Sequence, residues 1–145
     1  MPRFLCVLLL VGLLSCDNDR GERNPFLQEI GFRFDMNLNL PLYSPLTNLG
    51  NAVYVPNPGV GIKGIFVIKS NFDQYRAFEA SCPNHIPNEC STMELDGQIA
   101  TCSCEGYEYY LFTGQQKDRP DDGSRYYNLL EYRATQSGNI VIVTN

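Results

Sequence analysis

Residues 82–106 read CPNHIPNECSTMELDGQIATCSCEG, and the stretch contains His85, the only histidine of the chain. It also contains four of the six cysteines, namely Cys82, Cys90, Cys102 and Cys104. Between the second and third of these, residues 93–95 and 98–100 flank Asp96-Gly97, a dipeptide typical of a tight β-hairpin turn. A hairpin brings its two ends together, so we expect the two cysteine-bearing loops to lie side by side.

The N-terminal end of the chain has the features of a targeting segment. An apolar run follows Arg3 and is too short to span a bilayer as a helix. It ends in Leu13-Leu14-Ser15-Cys16, which resembles a bacterial lipobox, so residues 1–15 are predicted to be a lipoprotein signal peptide. The predicted lipidation site is Cys16. The alternative is an ordinary signal peptide that is cleaved near Ser15.

This signal predicts both the location of the protein and one of its partners. Acyl chains on Cys16 would hold the protein on a membrane of the bacterial cell envelope, facing the periplasm or the cell surface. Residues 16–29 are mostly polar and would form the lipid-anchored tether of a single domain, residues 30–145. The net charge of −5 argues against binding of nucleic acid. The other expected partner is an unidentified envelope protein.

The strand pattern predicts an all-β domain. Apolar and polar residues alternate strictly over residues 32–40, which is typical of a half-buried strand. A final hairpin is expected around Ser137-Gly138-Asn139. The remaining predicted strands are 52–55, 64–68, 75–79, 107–112, 129–134 and 140–143. The alternation over residues 32–40 and the two hairpin turns predict antiparallel strands. No segment shows a sustained helical period, so we expect almost no helix after position 30.

With these features together, residues 30–145 resemble a Rieske domain, which holds a [2Fe-2S] cluster between two loops. In that family the first loop reads Cys-x-His and the second reads Cys-x-x-His-Gly. Cys82 and Cys102 match the two ligand cysteines, while Cys90 and Cys104 match a disulfide found in some members. The resemblance implies an antiparallel Rieske-like sandwich or barrel with a two-loop, cysteine-bearing subdomain.

The chain departs from the family at both histidine positions. Asn84 stands at the first and Glu105 at the second, and His85 lies one residue late. If no cluster binds, the resemblance implies that the two ligand sulfurs join as Cys82–Cys102 while Cys90–Cys104 keeps the family disulfide. We therefore expect no cofactor and no metal, with the two ligand-cysteine positions vestigial.

Two alternatives remain for the cysteines. One is a structural zinc site, for which the cysteine spacing is poor. The other is a [2Fe-2S] cluster with the unusual ligands Cys82, Cys102, His85 and Glu105. His85 is otherwise expected to be solvated, as a single loop histidine generally is.

Two functions follow from these alternatives. The first is a cluster-free, Rieske-like lipoprotein domain with a structural or interaction role, and the second is an electron carrier with a variant cluster. We do not expect an enzyme, and no catalytic residue is predicted, because no pairing of a nucleophile with the single histidine is evident.

Overall fold

The computed structural model describes residues 23–145, which form antiparallel strands and one short 3₁₀ helix, Ser44–Thr47. The predicted signal peptide, the lipidation site Cys16 and the start of the tether lie outside the described residues. The strands are β1 (Arg33–Asn37), β2 (Ala52–Val55), β3 (Ile65–Asn71), β4 (Gln74–Glu79), β5 (Glu94–Asp96), β6 (Ile99–Thr101), β7 (Glu108–Tyr110), β8 (Glu131–Ser137) and β9 (Ile140–Thr144).

The strands form two antiparallel sheets. The larger sheet has six strands in the order β1-β9-β8-β4-β3-β2, and the smaller one has three in the order β5-β6-β7. Both cysteine loops adjoin the smaller sheet, one before β5 and the other between β6 and β7. The predicted all-β, antiparallel fold with a two-loop subdomain is confirmed. Among the described residues, no helix has the length and apolar character needed to cross a bilayer.

The first strand is shorter than the alternation over residues 32–40 predicts. It ends at Asn37, whose backbone carbonyl accepts from Leu40 N at 3.0 Å and whose side-chain Oδ1 accepts from Asn39 N at 3.0 Å. These bonds turn the chain before the pattern is complete. Leu40, which the alternation places on the buried face, is consequently 49% exposed.

The predicted hairpin between the cysteine loops forms, with its turn one residue later than the Asp96-Gly97 dipeptide indicates. Asp96 pairs with Ile99, so the two central residues of the turn are Gly97 and Gln98. Gly97 has a φ of 58° at the first central position, where a type II′ turn requires a positive φ. The following strand, predicted over 107–112, covers only Glu108–Tyr110, because Gly114 N then bonds back to Tyr110 O at 2.7 Å.

β3 separates two apolar cores. Ile65 and Val67 belong to the core beneath the larger sheet, whereas Phe66 and Ile68 belong to a second core that also contains the buried Cys82 and Cys102. A strand that is buried on both faces needs a continuous apolar run rather than an alternating one, and this accounts for its sequence. The second core attaches the smaller sheet and the cysteine loops to the larger sheet.

Candidate functional site

A buried carboxylate supports the start of the first cysteine loop. Glu79, the last residue of β4, is fully buried. Its Oε1 accepts from Lys63 N at 2.8 Å and Ser81 N at 2.9 Å, and its Oε2 accepts from Ile62 N and the Tyr132 hydroxyl, both at 2.7 Å. Burial and the Glu79 charge raise the pKa of Tyr132 above its usual range, so this phenol stays a donor. Glu79 thereby fixes the backbone three residues before Cys82.

Backbone hydrogen bonds shape both loops. In the first loop Cys82 N donates to Ser91 O at 2.8 Å, which closes the segment between Cys82 and Cys90. In the second loop Cys102 N donates to Tyr107 O and Gly106 N donates to Cys102 O, both at 2.8 Å. The second loop is therefore a tight turn that keeps Cys102 buried.

Two disulfides join the loops. Cys82 is bonded to Cys102, with a Cα–Cα distance of 5.5 Å, and both residues are fully buried. Cys90 is bonded to Cys104, with a Cα–Cα distance of 5.3 Å, nearer to the surface. Each disulfide links a first-loop cysteine to a second-loop cysteine, and the two pairs alternate along the chain. These are the pairs that the resemblance to a Rieske domain implies.

The side chain of Asn84, at the first histidine position, is held by hydrogen bonds to two tyrosines. Its Nδ2 donates to the Tyr109 hydroxyl at 2.8 Å and to Tyr127 O at 3.1 Å, while its Oδ1 accepts from Tyr127 N at 2.6 Å. Burial raises the pKa of Tyr109 above its usual range, and the Asn84 hydrogen bond opposes that shift. Asn84 therefore links the first cysteine loop to Tyr109 and Tyr127.

The segment before β1 reaches the same loop. Asn24 Nδ2 donates to Pro83 O at 2.7 Å, Leu27 is 4% exposed, and the rings of Phe26 and Tyr127 meet edge to face at 5.9 Å. Residues 24–27, which the sequence pattern assigns to the tether, thus lie against the domain beside the first cysteine loop.

His85 and Glu105 are in contact with each other beside the Cys82–Cys102 disulfide. His85 Nε2 lies 3.3 Å from Glu105 Oε2 and 3.7 Å from Cys102 Sγ, and Glu105 Oε2 lies 2.8 Å from Cys102 Sγ. The sequence predicts a solvated histidine. The side chain of His85 is instead only 17% exposed and is packed against its neighbours. The sequence pattern alone does not reveal this contact, and only the variant-cluster alternative, through the resemblance to a Rieske domain, grouped these residues.

These residues form a compact group of metal-ligand types. One ligand atom from each of five residues lies within 4.8 Å of all the others, and the five are Cys82, His85, Cys102, Cys104 and Glu105. The group does not fit a Rieske cluster in this state. Such a cluster needs two imidazoles and two free thiolates, whereas the chain has one histidine and both ligand sulfurs are joined in a disulfide. The ligand set of the variant-cluster alternative is nevertheless brought together.

Comparison with solved structures gives the fold. The chain aligns with the apo form of the quaternary ammonium Rieske monooxygenase CntA with a TM-score of 0.51 and 14% identity, covering 82% of this chain and 34% of that one. The inhibitor-bound form of CntA gives 0.50 and 16%, covering 69% and 28%. The plasma membrane Rieske protein PetC3 from Synechocystis PCC 6803 gives 0.47 and 19%, covering 66% and 87%. No protein-family profile and no curated protein sequence matches the chain. At these identities the likeness concerns the fold alone.

Proposed function

Because this chain has a Rieske-like fold, we propose that it is a cluster-free domain in which two disulfides replace the cluster as the link between the loops. The observation that carries the proposal is the bond between Cys82 and Cys102, the two residues at the cluster-ligand positions. A disulfide uses the two sulfurs that a cluster would need as thiolates. The domain then has a structural or interaction role rather than a redox role.

The surroundings of the first histidine position support this proposal. The side chain of Asn84 makes three hydrogen bonds, one to the Tyr109 hydroxyl and two to the backbone of Tyr127. A side chain that coordinated a metal from this position would have to give up these partners. Asn84 thus stabilises the loop without a metal.

The disulfides supply the stability that a cluster would otherwise provide. Cys82–Cys102 spans a sequence separation of 20 and Cys90–Cys104 one of 14. Loops of this size correspond to about 3 kcal/mol of stabilisation each, mainly because the unfolded chain loses conformational freedom. The two crosslinks join the same pair of loops, so their contributions are not independent.

The anchoring part of the proposal rests on residues 1–16. We propose a lipid on Cys16 that holds the domain at a membrane of the bacterial cell envelope, where it contacts an unidentified envelope protein. The lipobox-like Leu13-Leu14-Ser15-Cys16 supports the anchor. An enzyme activity is not part of this proposal.

The test is the spectrum, the iron content and the mass of protein purified without reductant. We expect a colourless, iron-free protein whose denatured mass rises by about 4 Da on reduction, since two disulfides each take up two hydrogens. Peptide mapping should link Cys82 to Cys102 and Cys90 to Cys104. Stoichiometric iron in the protein as isolated would overturn the proposal.

A second candidate function is the electron carrier with a variant cluster. It is favoured by one observation, the meeting of His85, Glu105 and Cys102 within 3.7 Å. This function requires Cys82 and Cys102 as free thiolates in the working protein. It therefore predicts a brown protein that contains iron and lacks the Cys82–Cys102 disulfide. The spectrum, iron content and mass described above would then give the opposite result.

A further inference from the structure

We propose that reduction of the Cys82–Cys102 disulfide creates a mononuclear Zn²⁺ site. Its four ligands are Cys82 Sγ, Cys102 Sγ, His85 Nε2 and Glu105 Oε2, which already lie together above the second core. The proposal goes beyond the cluster-free function, which concerns the oxidised protein. Cys104 lies close to these atoms but is bonded to Cys90, so it is not one of the four ligands.

The distances between the ligand atoms suit a tetrahedron. With Zn–S of about 2.3 Å and Zn–N or Zn–O of about 2.0 Å, the N···O edge is about 3.3 Å and the S···N and S···O edges are about 3.5 Å. The corresponding distances are 3.3 Å for His85 to Glu105, 3.7 Å for His85 to Cys102 and 2.8 Å for Glu105 to Cys102. Only the last is shorter than the tetrahedral edge, so the Glu105 carboxylate, whose side chain is 33% exposed, would have to move outward when a metal binds.

The sulfur atoms reach the required spacing once their bond is broken. A tetrahedral zinc site needs an S···S edge of about 3.8 Å, which is about the separation of two sulfur atoms in non-bonded contact. The backbone positions of the two cysteines, on facing loops, already direct both side chains to one point. Reduction alone therefore places two thiols where a metal ion fits between them.

The histidine is oriented for coordination by its second nitrogen. His85 Nδ1 lies 2.9 Å from Ile86 O, which can only accept, so Nδ1 carries a hydrogen. Nε2 is then the nitrogen that faces Glu105 and Cys102, where a metal ion can bind. Metal-bound histidines are commonly fixed by such a bond from the other ring nitrogen to a backbone carbonyl.

The ligand types select the metal. Two thiolates with one imidazole and one carboxylate suit Zn²⁺, whereas Mg²⁺ and Ca²⁺ prefer oxygen ligands throughout. His85 and Glu105 have side-chain exposures of 17% and 33%, so they connect the buried sulfurs to solvent and provide the entry path.

The conversion balances with a dithiol as the reductant. A dithiol gives two electrons and two protons to Cys82–Cys102 and becomes a disulfide itself, leaving two protein thiols. Zn²⁺ then displaces one proton from each thiol when it binds. The site is therefore closed to metal in the oxidised protein and open in the reduced one.

The test uses the full-length chain with Cys6→Ser, Cys16→Ser, Cys90→Ser and Cys104→Ser, which leaves Cys82 and Cys102 as the only thiols. The protein is reduced with excess dithiol, the dithiol is removed without air, and Co²⁺ is titrated as a coloured probe before Zn²⁺ displaces it. We expect no binding before reduction. After reduction we expect one Co²⁺ per chain, with thiolate-to-cobalt charge-transfer absorbance.

Variants of the two non-sulfur ligands identify the site. His85→Gln and Glu105→Gln should each weaken binding by about 10–100-fold or more. Glu89→Gln, which changes an exposed carboxylate of the first loop, should bind as the parent does. Equal affinity in all three would overturn the proposal, because the cysteines alone would then account for binding.

A second measurement covers loss of folding on reduction. If the four-serine chain unfolds, the wild-type chain is reduced and refolding on addition of Zn²⁺ is followed by circular dichroism. Refolding that His85→Gln and Glu105→Gln prevent supports the site, and no metal-dependent refolding overturns it. The iron content and the mass of the oxidised protein test the cluster-free proposal and do not depend on Zn²⁺ binding. Failure of the zinc site can therefore be distinguished from failure of the cluster-free proposal.

Discussion

The prediction most directly worked from the structure concerns Glu79, which holds the start of the first cysteine loop. Its carboxylate accepts four hydrogen bonds, three of them from backbone N–H groups. In Glu79→Gln the side chain keeps its shape, but the amide has one acceptor oxygen and one donor nitrogen. At least one backbone N–H then faces another donor, so about two of the four bonds are lost.

The magnitude follows from the type of bond. A hydrogen bond to a charged group contributes about 1.5–3 kcal/mol, so two lost bonds would destabilise by about 3–6 kcal/mol. The neutral amide is less costly to bury than a charge, which offsets part of that loss. We expect the free energy of unfolding of Glu79→Gln to fall by about 3 kcal/mol.

The assay is equilibrium unfolding in urea with both disulfides intact, followed by circular dichroism. With an m-value of about 2 kcal/mol/M, the midpoint should fall by about 1.5 M. Glu108→Gln is the matched control, because it removes only a solvent-screened ion pair with Lys117 and should shift the midpoint much less. If Glu79→Gln shifts the midpoint no more than Glu108→Gln does, the assignment of Glu79 as the support of the loop is wrong.

Three further predictions address pH, the histidine positions and the anchor. Burial raises the pKa of Tyr109 and Tyr132, so their contribution to stability is complete below the unfolded pKa of about 10 and is lost as pH rises above it. Tyrosinate absorbance should therefore show a fraction of the nine tyrosines that ionises only on unfolding, and ionisation of all nine in the folded protein would contradict this. Asn84→His with Glu105→His, reconstituted with iron and sulfide under reducing conditions, should gain cluster absorbance that the parent and an Asn84→Gln, Glu105→Gln control lack. An uncoloured double-histidine variant would show that the loops no longer form a Rieske scaffold. Cys16→Ser should block maturation and release the protein from the membrane fraction, and normal processing with retention on the membrane would contradict lipidation.

The fold was accessible from the sequence because its signals are local. The Asp96-Gly97 turn and the continuous apolar run of β3 depend on neighbouring residues, and both give elements that the structure contains. The early end of β1 is different. Its alternating pattern continues past Asn37, but hydrogen bonds to Asn37 turn the chain before the pattern ends.

The candidate site could be predicted from the sequence only in part, because several of its residues interact with residues that are distant in the sequence. Glu79 bonds to a residue 53 positions away, and a glutamate at the end of a strand pattern reads as an exposed residue. The contact of His85 with Glu105 likewise depends on the tertiary fold. In the sequence, Asn84 is evident only as the absence of an expected histidine. Its three hydrogen bonds show that the amide links the first cysteine loop to Tyr109 and Tyr127.

The alternation of the two disulfides along the chain has a consequence for proteolysis. A protease that cuts once anywhere in residues 83–103 leaves two pieces that are still joined, since at least one disulfide crosses every such cut. Two cuts, one on each side of Cys90, also release nothing, because Cys90 remains attached to Cys104. The cysteine-bearing fragments separate only after a third cut, between Cys102 and Cys104, or after reduction, although two cuts within one segment between successive cysteines would release a cysteine-free peptide. A nicked domain would therefore keep its original mass on a non-reducing gel and reveal the damage only after reduction.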